Sequence, residues 1–117
     1  MKMTPPDPAT KDWFRDLCES YPQLVVRPMF GHLAAFGADN GQMTAGVYGT
    51  EVNLRLSEAD RAELMATYDA KLFEPLPGRP MREYVVVPEE VQADEKLLEH
   101  WLQRAIDYTS GLPPKKR

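Results

Sequence analysis

Four arginines are the residues whose type and spacing in this sequence could do chemistry together. Arg27 and Arg55 fall in segments that alternate as strands do, and Arg79 and Arg82 flank a proline-rich turn at residues 77–80. A guanidinium presents a rigid fork of N–H donors that matches phosphate or carboxylate oxygens. If the strands that carry them are neighbours, the four arginines could line one patch that binds a small anion.

The alternative is that these arginines form ion pairs within the fold. Acidic residues lie close to them in the sequence, namely Glu51, Glu74 and Glu83. Structural ion pairs produce clusters of charge as well as functional sites do, so the cluster alone does not establish a site. We therefore favour the ion pairs and keep the anion patch as a second hypothesis.

Catalytic and metal-binding chemistry have little support in the sequence. Nucleophilic catalysis needs a nucleophile, a base and an orienting group within hydrogen-bond reach. The bases are His32 and His100, and nothing in the sequence brings either of them to Cys18, which lies on the apolar stripe of a predicted helix. The two histidines have no metal-ligand spacing, and no phosphate-binding loop motif is present. We expect no catalytic residue, no metal and no cofactor.

Composition limits the kinds of partner. The 117 residues carry a net charge of −4 with 43% hydrophobic residues, which fits a single globular domain and disfavours nucleic acid, since phosphate binding needs a basic surface. We expect a domain over residues 1–112 and a solvated basic tail at 113–117; DNA or RNA binding through that tail is a third hypothesis. The single cysteine excludes an internal disulfide. No signal peptide or membrane span is recognisable, so we expect a cytoplasmic protein.

The order of secondary structure predicts an α+β fold. Asp7 and Pro8 begin a helix, and Ser57 caps a second helix. Between them, residues 24–57 are predicted to form a three-stranded meander, with one extended segment over residues 24–38 that is broken by Pro28 and Gly31, and a hairpin turn at residues 39–41. Two further strands surround residues 77–80, and Asp94 caps a last helix with a broad apolar face. The order α-β-β-β-α-β-β-α predicts two layers, with a five-stranded antiparallel sheet covered by helices on one face. The other face would carry Asn53, Arg55 and their strand neighbours, and it would meet water, a partner subunit or a ligand.

Several short segments together resemble the amino-terminal domain of the TfoX/Sxy family, which is named for regulators of natural competence in bacteria. They are RPMFG at 27–31, DNGQM at 39–43, VNLRL at 52–56, FEP at 73–75, PGRPM at 77–81, YVVVPEE at 84–90, and the final helix with Leu98 and Trp101. The resemblance runs from the first helix to about residue 109, and it is carried by the order and spacing of these segments. His32 stands where the family often has glycine.

The resemblance implies a fold related in topology to type III secretion chaperones, and it implies no established catalytic activity or cofactor. The 117 residues leave no room for the second, helical domain that competence regulators of the family usually carry. We therefore expect a stand-alone amino-terminal domain. Our first hypothesis is a non-enzymatic regulatory or protein-interaction domain that forms a homodimer or binds another protein.

Overall fold

The computed structural model describes residues 7–29 and 31–115, and these residues form four helices and six strands. In chain order the elements are α1 (Pro8–Glu19), β1 (Leu24–Met29), β2 (His32–Gly37), β3 (Met43–Tyr48), β4 (Glu51–Arg55), α2 (Glu58–Tyr68), β5 (Leu72–Leu76), β6 (Arg79–Val86), α3 (Glu89–Gln92) and α4 (Glu95–Ser110). The start of the chain, Phe30 and the last two residues of the basic tail lie outside the described residues, and so do the predictions about them.

The strands form one open antiparallel sheet in the order β1-β2-β3-β4-β6-β5. Helix α1 packs on β1 and β2, α4 packs on β2, β3 and β4, and α2 packs on β6. The α+β class and the antiparallel sheet are confirmed. The relation to secretion chaperones stays a prediction.

The predicted count of five strands is wrong, because residues 24–38 form two strands instead of one broken strand. Met29 pairs with His32, so the chain reverses between these residues. Gly31 makes the reversal possible because it adopts a φ of 83°, which side chains disfavour. The last helical region also differs from expectation, since the short α3 precedes α4.

The helices begin where the sequence predicts. The Asp7 carboxylate accepts the backbone N–H of Thr10 at 2.7 Å, and the Ser57 hydroxyl accepts that of Asp60 at 3.2 Å. Asp94 accepts two amides of the first turn of α4 in the same way. These side chains satisfy N–H groups that have no partner within the helix. Among the described helices, none has the length and apolar character to cross a membrane.

The hydrophobic core lies between the helices and one face of the sheet. Its largest fully buried side chains are Phe14, Leu54, Leu56, Leu64, Leu98 and Leu102. Cys18 belongs to the same core, and burial raises the pKa of its thiol to about 12. The prediction that Cys18 is a buried residue of the apolar stripe is therefore confirmed. We call the opposite side of the sheet the open face.

The β2–β3 turn is tied to the end of α4 by one side chain. The Asn40 amide donates to the carbonyl of Thr109 at 2.7 Å and to that of Leu112 at 3.2 Å, and its oxygen accepts the N–H of Gln42 at 3.0 Å. The sequence predicts Asn40 only as a turn residue. Gly41 supplies the positive φ of the turn, at 69°, and Asn40 instead satisfies carbonyls at the helix end.

Replacing Asn40 with alanine is expected to lower the free energy of unfolding by about 1–2 kcal/mol, because two half-buried carbonyls lose their donor. Urea denaturation of the variant measures this loss. Asp39→Ala is the matched control, since Asp39 is an exposed residue of the same turn. Equal effects of the two substitutions would show that the contact with α4 contributes nothing.

Candidate functional site

A cavity of about 330 Å³ lies on the open face. Residues of both ends of the sheet enclose it: Met29 and His32 come from β1 and β2, and Phe73, Leu76 and Met81 come from the β5–β6 hairpin. Side chains and backbone of the central strands form its floor. We call it the open-face cavity.

Strand alternation places the floor residues opposite the core. Leu33, Val47 and Val52 belong to the core, so their neighbours Ala34 and Asn53 point to the other side of the sheet. Gly46 lies between them. A Cβ there would come within 3.1 Å of the Met43 methyl group and 3.3 Å of the Asn53 Nδ2. The missing side chain at position 46 therefore leaves the room in which Asn53 faces the cavity.

A register shift brings the β5–β6 hairpin to the cavity. Leu72 pairs with Val85, but the next residue, Phe73, pairs with Met81. The intervening residues of β6 are therefore out of register with β5, while Tyr84 pairs with β4. Extra residues of this kind bend a strand. The tip of the hairpin consequently lines the same cavity as Met29 and His32.

Aromatic rings and thioethers form the walls of the cavity. The imidazole of His32 stacks on the ring of Tyr48 with centroids 3.9 Å apart and an interplanar angle of 17°. Phe73 meets the same tyrosine edge to face, with centroids 5.3 Å apart. The thioethers are those of Met29, Met43 and Met81. Methionine side chains adapt their shape to a bound group and make favourable contacts with aromatic rings.

His32 is part of this wall. It is 7% exposed, and its Nδ1 accepts the backbone N–H of Gly49 at 3.4 Å. Burial, and secondarily the charge of Lys11, lowers its pKa below 6.5. Cys18 lies in the core beneath the other face of the sheet. Within residues 7–29 and 31–115, no group of three or more His, Cys, Asp or Glu side chains could hold a metal ion.

The pKa of His32 predicts a loss of stability in acid. The unfolded chain takes up the proton at a higher pH than the folded protein, so stability falls as the pH drops below about 6.5. In His32→Phe, which keeps a ring beside Tyr48 but cannot be protonated, the loss between about pH 7 and pH 5 should be smaller. Urea midpoints across this range measure it. His100→Phe, at an exposed position, is the control. If the urea midpoint of His32→Phe falls with pH as steeply as that of the wild-type protein, protonation of His32 is not the cause of the loss.

Asn53 is the unusual residue of the site. Its side chain lines the cavity and is only 2% exposed, and among the described residues its Oδ1 has no hydrogen-bond partner. A buried amide oxygen without a partner costs about 1–3 kcal/mol, and native proteins contain few of them. Strand alternation in the sequence predicts Asn53 only as a polar residue of the open face. The one sign of this site in the sequence is that the amide side chain of Asn53 stands between two apolar strand residues, Val52 and Leu54.

The structure distributes the four arginines over the sheet. Arg55 is engaged within the fold: its Nε donates to the Glu83 carboxylate at 2.7 Å, and its Nη1 donates to Gln42 and to the Met43 carbonyl. Arg82 is exposed on β6. The Arg55–Glu83 contact is one of the ion pairs that the alternative hypothesis favours. The four-arginine anion patch stays a prediction.

Arg27 and Arg79 share the face that carries the cavity. Arg27 is directly opposite Ala34, and Arg79 is directly opposite Leu76. Residues opposite one another in an antiparallel pair lie on the same face, and Ala34 and Leu76 both line the cavity. Both arginines are exposed. Within the part of the chain that the structure describes, neither of them forms a salt bridge.

Comparison of the chain with known proteins finds a matching family model but no matching curated protein. A family model, that of the TfoX N-terminal domain, matches residues 16–108. The match extends from the middle of α1 to near the end of α4 and includes all six strands. Because it covers well over half of the 117 residues, the chain belongs to the TfoX N-terminal domain family.

Proposed function

We propose that this chain is a non-enzymatic protein-interaction domain with a regulatory role in the cytoplasm, and that it binds its partner at the open-face cavity. One observation carries the proposal: an apolar cavity is already formed, and large apolar side chains are exposed at its mouth. Met29 is 38% exposed and Leu76 is 60% exposed. Apolar surface of this kind around a cavity is typical of interaction sites.

The types of residue around the cavity favour a protein partner. Methionine, tyrosine, phenylalanine and arginine are enriched in protein interfaces, and Met29, Tyr48, Phe73, Arg27 and Arg79 lie on this face. The regulatory part of the proposal is supported by the resemblance to a family that is named for regulators.

The charges on the open face favour an acidic partner. Arg27 and Arg79 would lie beside the bound segment, and a partner with Asp or Glu next to its apolar anchor would complement them. A second copy bound symmetrically would bring Arg27 and Arg79 of both copies into one interface, where like charges repel. We therefore propose that the cavity binds an acidic segment of another protein. Formation of a homodimer through this face, as predicted from the sequence, is the alternative result of the test below.

Selection of binders from a random peptide library on the intact protein tests the proposal. The selected peptides should carry an apolar residue flanked by acidic ones. Leu76→Asp, which puts a charge at the mouth, should weaken their binding at least tenfold. Trp13→Asp is the matched control, because Trp13 is an exposed apolar residue on α1. If no peptide is selected, and light scattering shows a dimer that Leu76→Asp dissociates, the face binds a second copy and the proposal is wrong.

A further inference from the structure

We infer that the open-face cavity is a specific site for an aromatic ring that carries one hydrogen-bond donor, and that the Oδ1 of Asn53 accepts this donor. The ring is the side chain of a tyrosine or tryptophan in the partner segment, so the inference rests on the proposed function and names its anchor residue. Three independent features support it: the unpartnered amide oxygen, the aromatic walls and the volume.

The unpartnered Oδ1 of Asn53 sets the polar requirement. An amide oxygen is an acceptor, and it needs an N–H or O–H donor when it is buried. His32 also lines the cavity, but its Nδ1 already accepts the backbone N–H of Gly49. A bound group with one donor would therefore satisfy the Oδ1 of Asn53. A purely aliphatic or phenylalanine anchor would leave it unsatisfied.

The walls set the apolar requirement. Tyr48 already packs face to face with His32 and edge to face with Phe73, and these are the geometries in which aromatic rings attract one another. Thioethers of Met29 and Met81 line the same space. A further ring would gain contacts with both kinds of side chain.

The volume of about 330 Å³ limits the size of the bound group. A cavity of about 150 Å³ is enough for a benzene ring. A phenol or an indole therefore fits with room to spare, whereas a dinucleotide does not. Tyrosine and tryptophan combine such a ring with one donor, and both usually find a hydrogen-bond partner when they are buried.

A matched set of small probes tests the chemistry: p-cresol, which has a donor, 4-methylanisole, which has only an acceptor, and toluene, which has neither. Titration of the full chain, followed by NMR or by its melting temperature, should show p-cresol bound about tenfold more tightly than the other two. In Asn53→Leu this preference should disappear while toluene still binds. In Gly46→Ala, which narrows the floor but keeps the amide, all three should bind more weakly. Equal binding of the three probes by the wild-type protein would overturn the inference.

Peptides separate this inference from the proposed function. Among the selected peptides, changing the anchor from tyrosine to phenylalanine should weaken binding to the wild-type protein about tenfold, and it should have no effect in Asn53→Leu. If leucine or phenylalanine anchors bind as well as tyrosine, the inference is overturned while the protein-interaction function stands. If p-cresol binds and no peptide does, the assignment to a partner's side chain is overturned together with the proposed function.

Discussion

Replacing Phe73 with alanine is expected to lower the free energy of unfolding by about 3–5 kcal/mol, the usual cost of removing a buried phenylalanine. Phe73 is 6% exposed although it belongs to an edge strand, because it packs against the ring of Tyr48 across the cavity. This ring contact connects the β5–β6 hairpin to β3. Its loss should therefore release the wall of the cavity as well as destabilise the fold.

Two measurements separate these effects of Phe73→Ala. Urea denaturation gives the loss of stability, and the binding of p-cresol at a temperature where the variant is folded reports on the wall. Leu76→Ala is the matched control, because Leu76 lies on the same hairpin but is exposed; it should change stability by at most about 0.5 kcal/mol. If Phe73→Ala costs no more than this control, the hairpin is not held in place by the contact with Tyr48.

The elements of this fold that depend on local chemistry could be predicted from the sequence. The helix caps are local, because Asp7, Ser57 and Asp94 bond to amides only two or three residues away in the sequence. The turn at Gly41 is local in the same sense, because a positive φ is a property of one residue. The apolar stripe of α1 also predicted that Cys18 would be buried.

The predicted number of strands was wrong in residues 24–38, where the sequence allows two local interpretations. Pro28 and Gly31 are as consistent with a kink in one strand as with a turn between two. The pairing of Met29 with His32 decides between them, and pairing depends on how the two segments pack on α1. Sequence patterns do not contain this information.

The candidate site could not be predicted because it depends on register. The cavity exists because β6 has residues that are out of register with β5, which brings Phe73 and Met81 to face Met29 and His32. Asn53 is isolated because the neighbouring strands present Gly46 and apolar side chains to it. Both facts concern residues far apart in sequence. A cluster of arginines can be recognised in the sequence because charge is a property of each residue, whereas the lack of a hydrogen-bond partner depends on the fold.

Replacing Asn53 with aspartate is expected to lower the free energy of unfolding at pH 7 by about 3 kcal/mol or more. Asparagine and aspartate have nearly the same shape, so the substitution adds a charge and replaces the N–H donors of Nδ2 with a carboxyl oxygen while leaving the packing almost unchanged. The Oδ1 of Asn53 is buried and has no donor among the described residues. A carboxylate there would lose its water without gaining hydrogen bonds, and burial of this kind raises the pKa of a carboxyl group by about 2–3 units, at about 1.4 kcal/mol per unit.

The sign of the pH dependence follows from this raised pKa. The folded variant keeps the proton on the introduced carboxyl up to a higher pH than the unfolded chain, whose carboxyl has a pKa of about 3.9. The variant should therefore match the wild-type protein most closely near pH 4 and lose stability as the pH rises through the raised pKa. Urea denaturation of both proteins at several pH values gives the difference, and the titration of His32 cancels because both contain it.

Asn53→Leu is the matched control, and its free energy of unfolding is needed to interpret that of Asn53→Asp. Leucine removes the unsatisfied oxygen and fills part of an apolar cavity, so its stability should equal or exceed that of the wild-type protein by about 1 kcal/mol, with no new pH dependence. A stabilising leucine together with a destabilising aspartate would show that Asn53 is kept at a cost to the fold, as expected for a residue whose partner is a ligand. If aspartate is tolerated at pH 7, water reaches the amide, and the site has no need of a donor from an aromatic ring.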